Sequence, residues 1–199
     1  MPCYEIDGVR PVIDPGAYVH PTAVLIGDVV VADRCYVGPG ASLRGDFGRI
    51  ILRSGSNIQD NCTMHSFPGR AAVIDVDGHV GHGAVLHGCH VGRNALVGMN
   101  AVVMDDVVVG EGCIIGAMSF VKAGTVLPDR SLWAGVPARL IREVTEQELA
   151  WKAQGTSEYH TLTMRSLASL KPCEPLVVEE PDRPLLPGDY VPLSALKAK

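Results

Sequence analysis

The chain has 199 residues, a formal net charge of −5, 47% hydrophobic residues and only 5% aromatics. That is enough for one domain with a sizeable core, filled by Val, Ile, Leu and Ala rather than by rings. The acidic balance and the lack of a basic cluster argue against a nucleic-acid partner. No apolar run is long enough to span a bilayer, and the N-terminus, MPCYEIDG, has neither the charged nor the apolar part of a signal peptide. The sequence therefore predicts no membrane contact and a cytoplasmic protein. Cys3, Cys35, Cys62, Cys89, Cys113 and Cys173 form no CxxC pair, and a disulfide framework is not expected in a reducing compartment. With 22 glycines, many positions are expected to need φ > 0.

Residues 1–16 predict a short strand and turn covering the first coil of a repeat. From 17 to 130 the dominant signal is a period of six. Val19, Leu25, Val31, Val37 and Leu43 keep the step, as do Leu52, Ile58 and Met64, then Val80 and Leu86, then Val91, Val97, Val103, Val109, Ile115, Val121 and Leu127. The residue two before the anchor is usually small, as at Ala23, Cys35, Ala41, Cys62, Ala84, Cys89 and Cys113. The residue after it is often Gly, as at Gly38, Gly81, Gly92 and Gly98. One aliphatic and one small inward residue per hexad describe one face of a triangular β-solenoid, three hexads to a coil, with coils stacked about 4.8 Å apart. This is similar to the hexapeptide-repeat, left-handed parallel β-helix, whose handedness departs from the usual crossover rule. Cys35, Cys62, Cys89 and Cys113 all take the small inward slot, which reads as packing rather than metal ligation.

The period breaks in three places. It gains three residues between Leu43 and Leu52, at RGDFGRI. It gains a loop, SFPGRAAVIDVDG, between Met64 and Val80. It loses one residue between Leu86 and Val91. Insertions in solenoids leave as loops on one, often functional, face. After the solenoid, residues 131–170 form an exit segment and C-terminal helices that cap the open end. Thr145-Glu146-Gln147-Glu148 is a capping box, starting a helix that Gly155 is expected to stop near Gln154. A second helix is predicted from about Ser157 to Leu170. Residues 171–199 carry six prolines and predict an extended tail, ordered only where it packs.

Seven histidines punctuate the frame. His20 and His160 read as structural, and His79 and His90, just before anchors, as exposed corners. His65 and His87 follow anchors Met64 and Leu86, so strand alternation turns them outward on one wall. His82 lies one step further on, after Val80-Gly81. Gln59 and Arg44 also follow anchors. Outward polar side chains on neighbouring coils fit either a site or a hydrated polar wall. Three neutral imidazoles and one open position are what a catalytic Zn²⁺ requires.

RGDFGRI, NIQDN followed by His65, and GHVGHGAVLHGC together resemble the γ-class carbonic anhydrases, and within them the phenylacetic acid degradation branch. The similarity runs over almost all of the chain before the tail. It implies a homotrimer with one metal at each subunit interface, Zn²⁺ with Fe²⁺ or Co²⁺ as possible replacements. His65 and His87 would come from one chain and His82 from its neighbour. It further implies that Arg44 pairs with Asp60 across the interface, that Asp46 is a supporting carboxylate, that Gln59 hydrogen-bonds the metal-bound water, and that Tyr159 reaches the metal from the C-terminal helix. Coordination lowers the pKa of bound water to about 7.

Four readings follow as expectations. The branch resembled implies hydrolysis of (hydroxy)phenylacetyl-CoA-type thioesters, with Phe47 beside the acyl group. CO₂ hydration to bicarbonate is the alternative, but Phe47 stands where γ enzymes carry a proton-shuttling glutamate, and the loop after His65 offers Asp75 and Asp77 but no Glu. Acyl transfer needs one base histidine and an acceptor pocket without metal. A non-catalytic metal-binding module is the fourth reading.

Overall fold

The computed structural model describes residues 3–186 and 190–197. Each hexad forms a short strand and a corner, and the strands stack into three walls. On the first wall Tyr18–Val19, Tyr36–Val37, Asn57–Ile58, His79–Val80, Leu96–Val97, Ile114–Ile115 and Ser131–Gly135 pair in parallel, one coil to the next. Ala138–Glu143 turns back antiparallel on the last of these and ends the sheet. Val24–Val31 and Ser42–Leu52 are long enough to run through two walls. Below them Thr63–His65, Val85–His87, Val102–Val103 and Phe120–Val121 continue the second wall. Ala71–Ile74, His90–Val91, Val108–Val109 and Val126–Leu127 continue the third. The expected hexapeptide-repeat β-solenoid is therefore what forms.

The anchors and small residues make one continuous core, from Ala17 and Val19 to Val121 and Leu127. Aliphatic side chains fit the narrow prism because each coil offers one anchor per wall, and such packing tolerates little change in volume. The cysteines obey the same rule. Cys35, Cys62 and Cys113 donate Sγ–H to carbonyls of the next coil, at Arg53 (3.0 Å), Gly81 (3.2 Å) and Ser131 (3.0 Å). Burial pushes the thiols of Cys35, Cys62 and Cys113 up to about 11 and that of Cys89 to about 12. They are inert at neutral pH, because the thiolate is the reactive form.

The expected positive φ is found at ten of the described glycines, among them Gly40 (68°) and Gly83 (71°), while the glycines right after the anchors serve a different purpose. A Cβ on Gly98 would lie 2.5 Å from the backbone nitrogen of Ala117 and 2.7 Å from the carbonyl carbon of Gly116. The coils approach too closely there for any side chain. Left-handed residues sit at other corners and are often Asn or Asp, as at Asn61 (φ 57°) and Asn100 (φ 55°).

In the N-terminal segment, Ile6 and Val9 close a turn between two short strands that lie along the first coil. Cys3–Tyr4 and Val12–Ile13 both pair in parallel with Val24–Val31. At the other end, the two expected C-terminal helices are one, α1, Glu146–Ser169. Its capping box is formed by Thr145 and Glu148, and Arg142 grips Glu148 with two 2.8 Å bonds. Gly155 does not stop it. Glycine costs a helix interior about 1 kcal/mol, and burial of α1 along the first wall offsets that. A Cβ at Gly155 would lie 2.8 Å from Tyr190 Oη, so the glycine admits the tail. Tyr190 stacks on Trp151 (5.5 Å, 25°), whose Nε1 donates to the Val191 carbonyl at 3.0 Å. Residues 171–186 of the tail form no helix or strand, and a short helix, α2, Leu193–Lys197, ends the described chain. No helix among the described residues is long and apolar enough to cross a membrane.

Two measurements check this packing. Ellman's reagent on the native protein is expected to find only the exposed Cys3 and Cys173, and all six cysteines after denaturation. Gly98→Ala is expected to lower stability by about 1–3 kcal/mol, read as a shift of the denaturant midpoint.

Candidate metal centre

Parallel register builds the site. Arg44 aligns with His65, and His65 with His87, on consecutive coils of the second wall. The two imidazoles, 5.2 Å apart at their centroids, bring His65 Nδ1 and His87 Nε2 to 3.1 Å. The outer nitrogens are each held by a carboxylate: His65 Nε2 by Asp46 Oδ1 at 2.9 Å, and His87 Nδ1 by Asp105 Oδ1 at 2.6 Å. A carboxylate accepts, so each neutral ring carries its proton on the outer nitrogen. The inner nitrogens are then both lone pairs, aimed at each other. Two such lone pairs repel unless a cation lies between them. The donor set fits a divalent ion such as Zn²⁺, and the carboxylates supply the support that histidine ligands usually have.

His82 repeats the arrangement elsewhere. It sits on the corner between the first and second walls, half-exposed, with Nδ1 held 2.6 Å from Asp60 Oδ2. In the neutral ring its Nε2 is left with the lone pair. Among the described residues no three potential ligands of one chain gather at a point; the His65–His87 pair offers two.

The carboxyl of Asp46 is raised by burial, but the hydrogen bond from His65 and the charge of Arg44 outweigh this and hold it below its usual range. Arg44 pairs with Asp46 within the chain, and Asp60 is occupied by His82. Two phenylalanines flank the histidines. Phe47, 63% exposed, lies 5.5 Å from His65, and Phe67, 50% exposed, lies edge-on 4.9 Å from His87. They come from the two long breaks in the period, packed together at Gly48, where a Cβ would meet the carbonyl oxygen of Phe67 at 2.3 Å.

Gln59 and Tyr159 are not on this wall. Gln59 lies on the first wall, beneath α1. Its Nε2 contacts Asn57 Oδ1 at 3.0 Å and His79 Nε2 at 2.7 Å. Tyr159 stands edge-on to His79 at 5.2 Å. His79 is therefore enclosed by α1, contrary to the exposed corner expected, although one edge stays open to an adjoining cavity. Burial first, then the charges of Lys152 and His82, push its pKa down to about 3. Gln59, Tyr159, His79 and His82 line that cavity, about 460 Å³ between the first wall, α1 and the tail. The other expectations hold: His160 bonds the Gly55 carbonyl (2.9 Å), His20 bonds Thr22 (2.8 Å), and His90 is exposed.

Sequence reasoning missed Asp105, Phe67 and Asn57. Asp105 was within reach of it, lying three hexads after His87. Phe67 could be placed only once its loop was seen folded onto Gly48.

The depressed His79 pKa sets a pH dependence. Below the ordinary histidine value of 6.5, the unfolded chain takes up a proton that the folded chain refuses until about pH 3. His79 thus stabilises fully above pH 6.5, and stability falls as pH drops towards 3, by at most about 1.4 kcal/mol per pH unit. His79→Gln is expected to flatten this part of the Tm-against-pH profile relative to wild type.

Comparison with known proteins agrees with the fold. Residues 88–123 match the family described as bacterial transferase hexapeptide (six repeats). The carnitine operon protein CaiE of Salmonella agona is 52% identical over 197 residues, covering 98% of this chain and all of that one; CaiE of Salmonella newport is 53% identical over the same span. A hexapeptide transferase family protein from Anaplasma phagocytophilum is 36% identical with a TM-score of 0.79, covering 82% of this chain and 96% of its own. A Bacillus cereus protein described as an acetyltransferase is 31% identical with a TM-score of 0.82, covering 83% and 96%. With its repeat, its solenoid and these full-length relatives, the chain belongs to the hexapeptide-repeat transferase family, in company with the carnitine operon proteins CaiE.

Proposed function

We propose that the chain is a metal-dependent hydrolase of acyl thioesters, working as a homotrimer with Zn²⁺, or Fe²⁺ or Co²⁺, at each subunit interface. The observation that carries this reading is the facing pair His65 Nδ1 and His87 Nε2, 3.1 Å apart, with both outer nitrogens held by carboxylates. His65 and His87 hold the ion on one side, and His82 of a neighbouring chain completes the set. When bound, the ion supplies Lewis-acid activation of water and of a carbonyl oxygen.

The chain's own residues do the rest. Asp46, Asp105 and Asp60 keep the protons of the three imidazoles on the nitrogens away from the ion. Gln59 commits its amide nitrogen to Asn57 and His79, leaving its carbonyl oxygen to accept from a water. Tyr159 packs against His79 from α1 and holds that network closed. Arg44, held by Asp46 through Nη1 in its own chain, turns the rest of its guanidinium to Asp60 of the neighbour and fixes the docking of the chains. Phe47 and Phe67 exclude water and offer faces to an aryl acyl group. In hydrolysis the carbonyl carbon–sulfur bond breaks, the water oxygen joins the acyl carbon, and the sulfur leaves with a proton. A thioester needs no fast proton export, whereas CO₂ hydration does, and Phe47 offers none.

The motifs RGDFGRI, NIQDN and GHVGHGAVLHGC, which resemble the phenylacetic acid degradation branch, make 2-hydroxyphenylacetyl-CoA the first substrate to assay. The names of the CaiE relatives place a carnitine-derived thioester beside it in the assay. Acyl transfer is the second reading, favoured by the hexapeptide transferase and acetyltransferase descriptions of solved relatives.

Metal content and turnover decide among these. The wild type is expected to carry about one divalent ion per chain and to hydrolyse thioesters, losing activity to a chelator and regaining it with Zn²⁺. His82→Ala is expected to lose both ion and activity, and Asp105→Asn to bind metal about 10–100-fold more weakly. Metal-independent transfer to an acceptor would instead favour the acyltransferase, CO₂ hydration without thioester cleavage a carbonic anhydrase, and bound metal with neither turnover a non-catalytic module.

A further inference from the structure

The cavity beneath α1 is not explained by the metal centre. Its floor is the lower half of the first wall. Tyr18, Tyr36, Asn57, His79, Leu96, Ile114 and Leu132 form one column in register. The upper members are aromatic or polar and are covered by Tyr159, which touches Tyr36 and His79. From Leu96 downward the column is aliphatic and α1 stands off it, leaving about 460 Å³. The roof is Trp151, and Tyr190 and Leu193 of the tail close the side.

The polar groups around this space are unevenly placed. Lys152 donates to Asn94 Oδ1 at 2.7 Å and to the Asp77 carbonyl, and Glu148 is bound by Arg142. Gln59, His79 and His82 gather where the aliphatic column gives way to the polar one. A cavity of this size with an apolar body and a few convergent polar groups is the usual form of a small-molecule site.

We infer that this cavity receives the acyl part of the thioester, a compact aryl or alkyl group, with its carbonyl end directed towards His82. The inference rests on the proposed thioesterase reading, because only there does His82 mark the reacting end. It assigns acyl selectivity to Leu96, Ile114, Trp151 and Tyr190, none of which the metal centre uses. Phe47 and Phe67, from the other chain, then cover the same acyl group only at its carbonyl end, while its body lies in the cavity.

The test uses the full-length protein with Trp133→Phe, so that Trp151 is the remaining tryptophan of the two. Phenylacetyl-CoA is titrated against Trp151 fluorescence, with free CoA as the control that lacks an acyl group. Phenylacetyl-CoA is expected to change the emission saturably and CoA is not. Ile114→Phe, which fills the cavity, is expected to weaken binding and raise KM by at least about ten-fold with metal content and assembly mass unchanged. Met99→Phe at the rim is the second variant should Ile114→Phe fail to fold, with the same expected sign. Tyr190→Ala is expected to shift preference towards bulkier acyl groups. Saturable binding without hydrolysis would sink the thioesterase reading and leave the cavity as a ligand site. Metal-dependent hydrolysis with KM untouched by either filling variant would overturn the cavity's role and leave the thioesterase standing. Loss of the assembly in both filling variants would show that a neighbouring chain occupies the space, and would also overturn it.

Discussion

Backbone hydrogen bonds between successive coils decide which side chains of this protein meet. Each strand of the solenoid before Ala138–Glu143 pairs in parallel with the strand one coil away, and the narrow core, filled by one anchor per wall, leaves no freedom to slip. A slip of one residue would turn every anchor outward. A side chain's neighbours are consequently those above and below it in the same column. His65 and His87 face each other for that reason, as do the aliphatic residues that floor the cavity under α1. The glycines at the corners belong to the same constraint: Gly98 has no room for a Cβ because the next coil's backbone is already there.

The column turns a structural regularity into an electrostatic demand. Asp46 and Asp105 hold the protons of His65 and His87 on their outer nitrogens, so the inner lone pairs converge with no proton to share. In a purely structural histidine pair, one ring would donate to the other. Here three histidines are each tied to a carboxylate by one nitrogen and offer the other. That repeated device, spread over two places on one chain, is why the site is read as a shared one.

The sequence made the walls legible because inward and outward are local properties of a strand. Anchors, small slots and buried cysteines could be read from the period of six alone, and the outward pair His65 and His87 came with it. Which wall a residue occupies is less local. Gln59 follows an anchor as His65 does, but one hexad earlier in the coil, and so belongs to the neighbouring wall. His79 was expected at an exposed corner because nothing near it in sequence announces that α1 will cover that wall. Gly155 reads as a helix stop by propensity, and tertiary packing against the first wall and Tyr190 overrides it. Asp105 could have been found by counting three hexads from His87. Phe67 could not, since its place depends on a loop folded against Gly48.

The central claim is that one ion is held by histidines of two chains. Mixed assemblies test it most directly. His65→Ala and His82→Ala protomers, each expected to be metal-free alone, are unfolded, mixed, refolded together and measured for bound zinc. The account predicts that metal returns in the mixture, because a His82→Ala chain still offers His65 and His87 to a neighbour that keeps His82. Mixed assemblies that form and stay metal-free, or a His82→Ala protein that binds zinc as the wild type does, would contradict it.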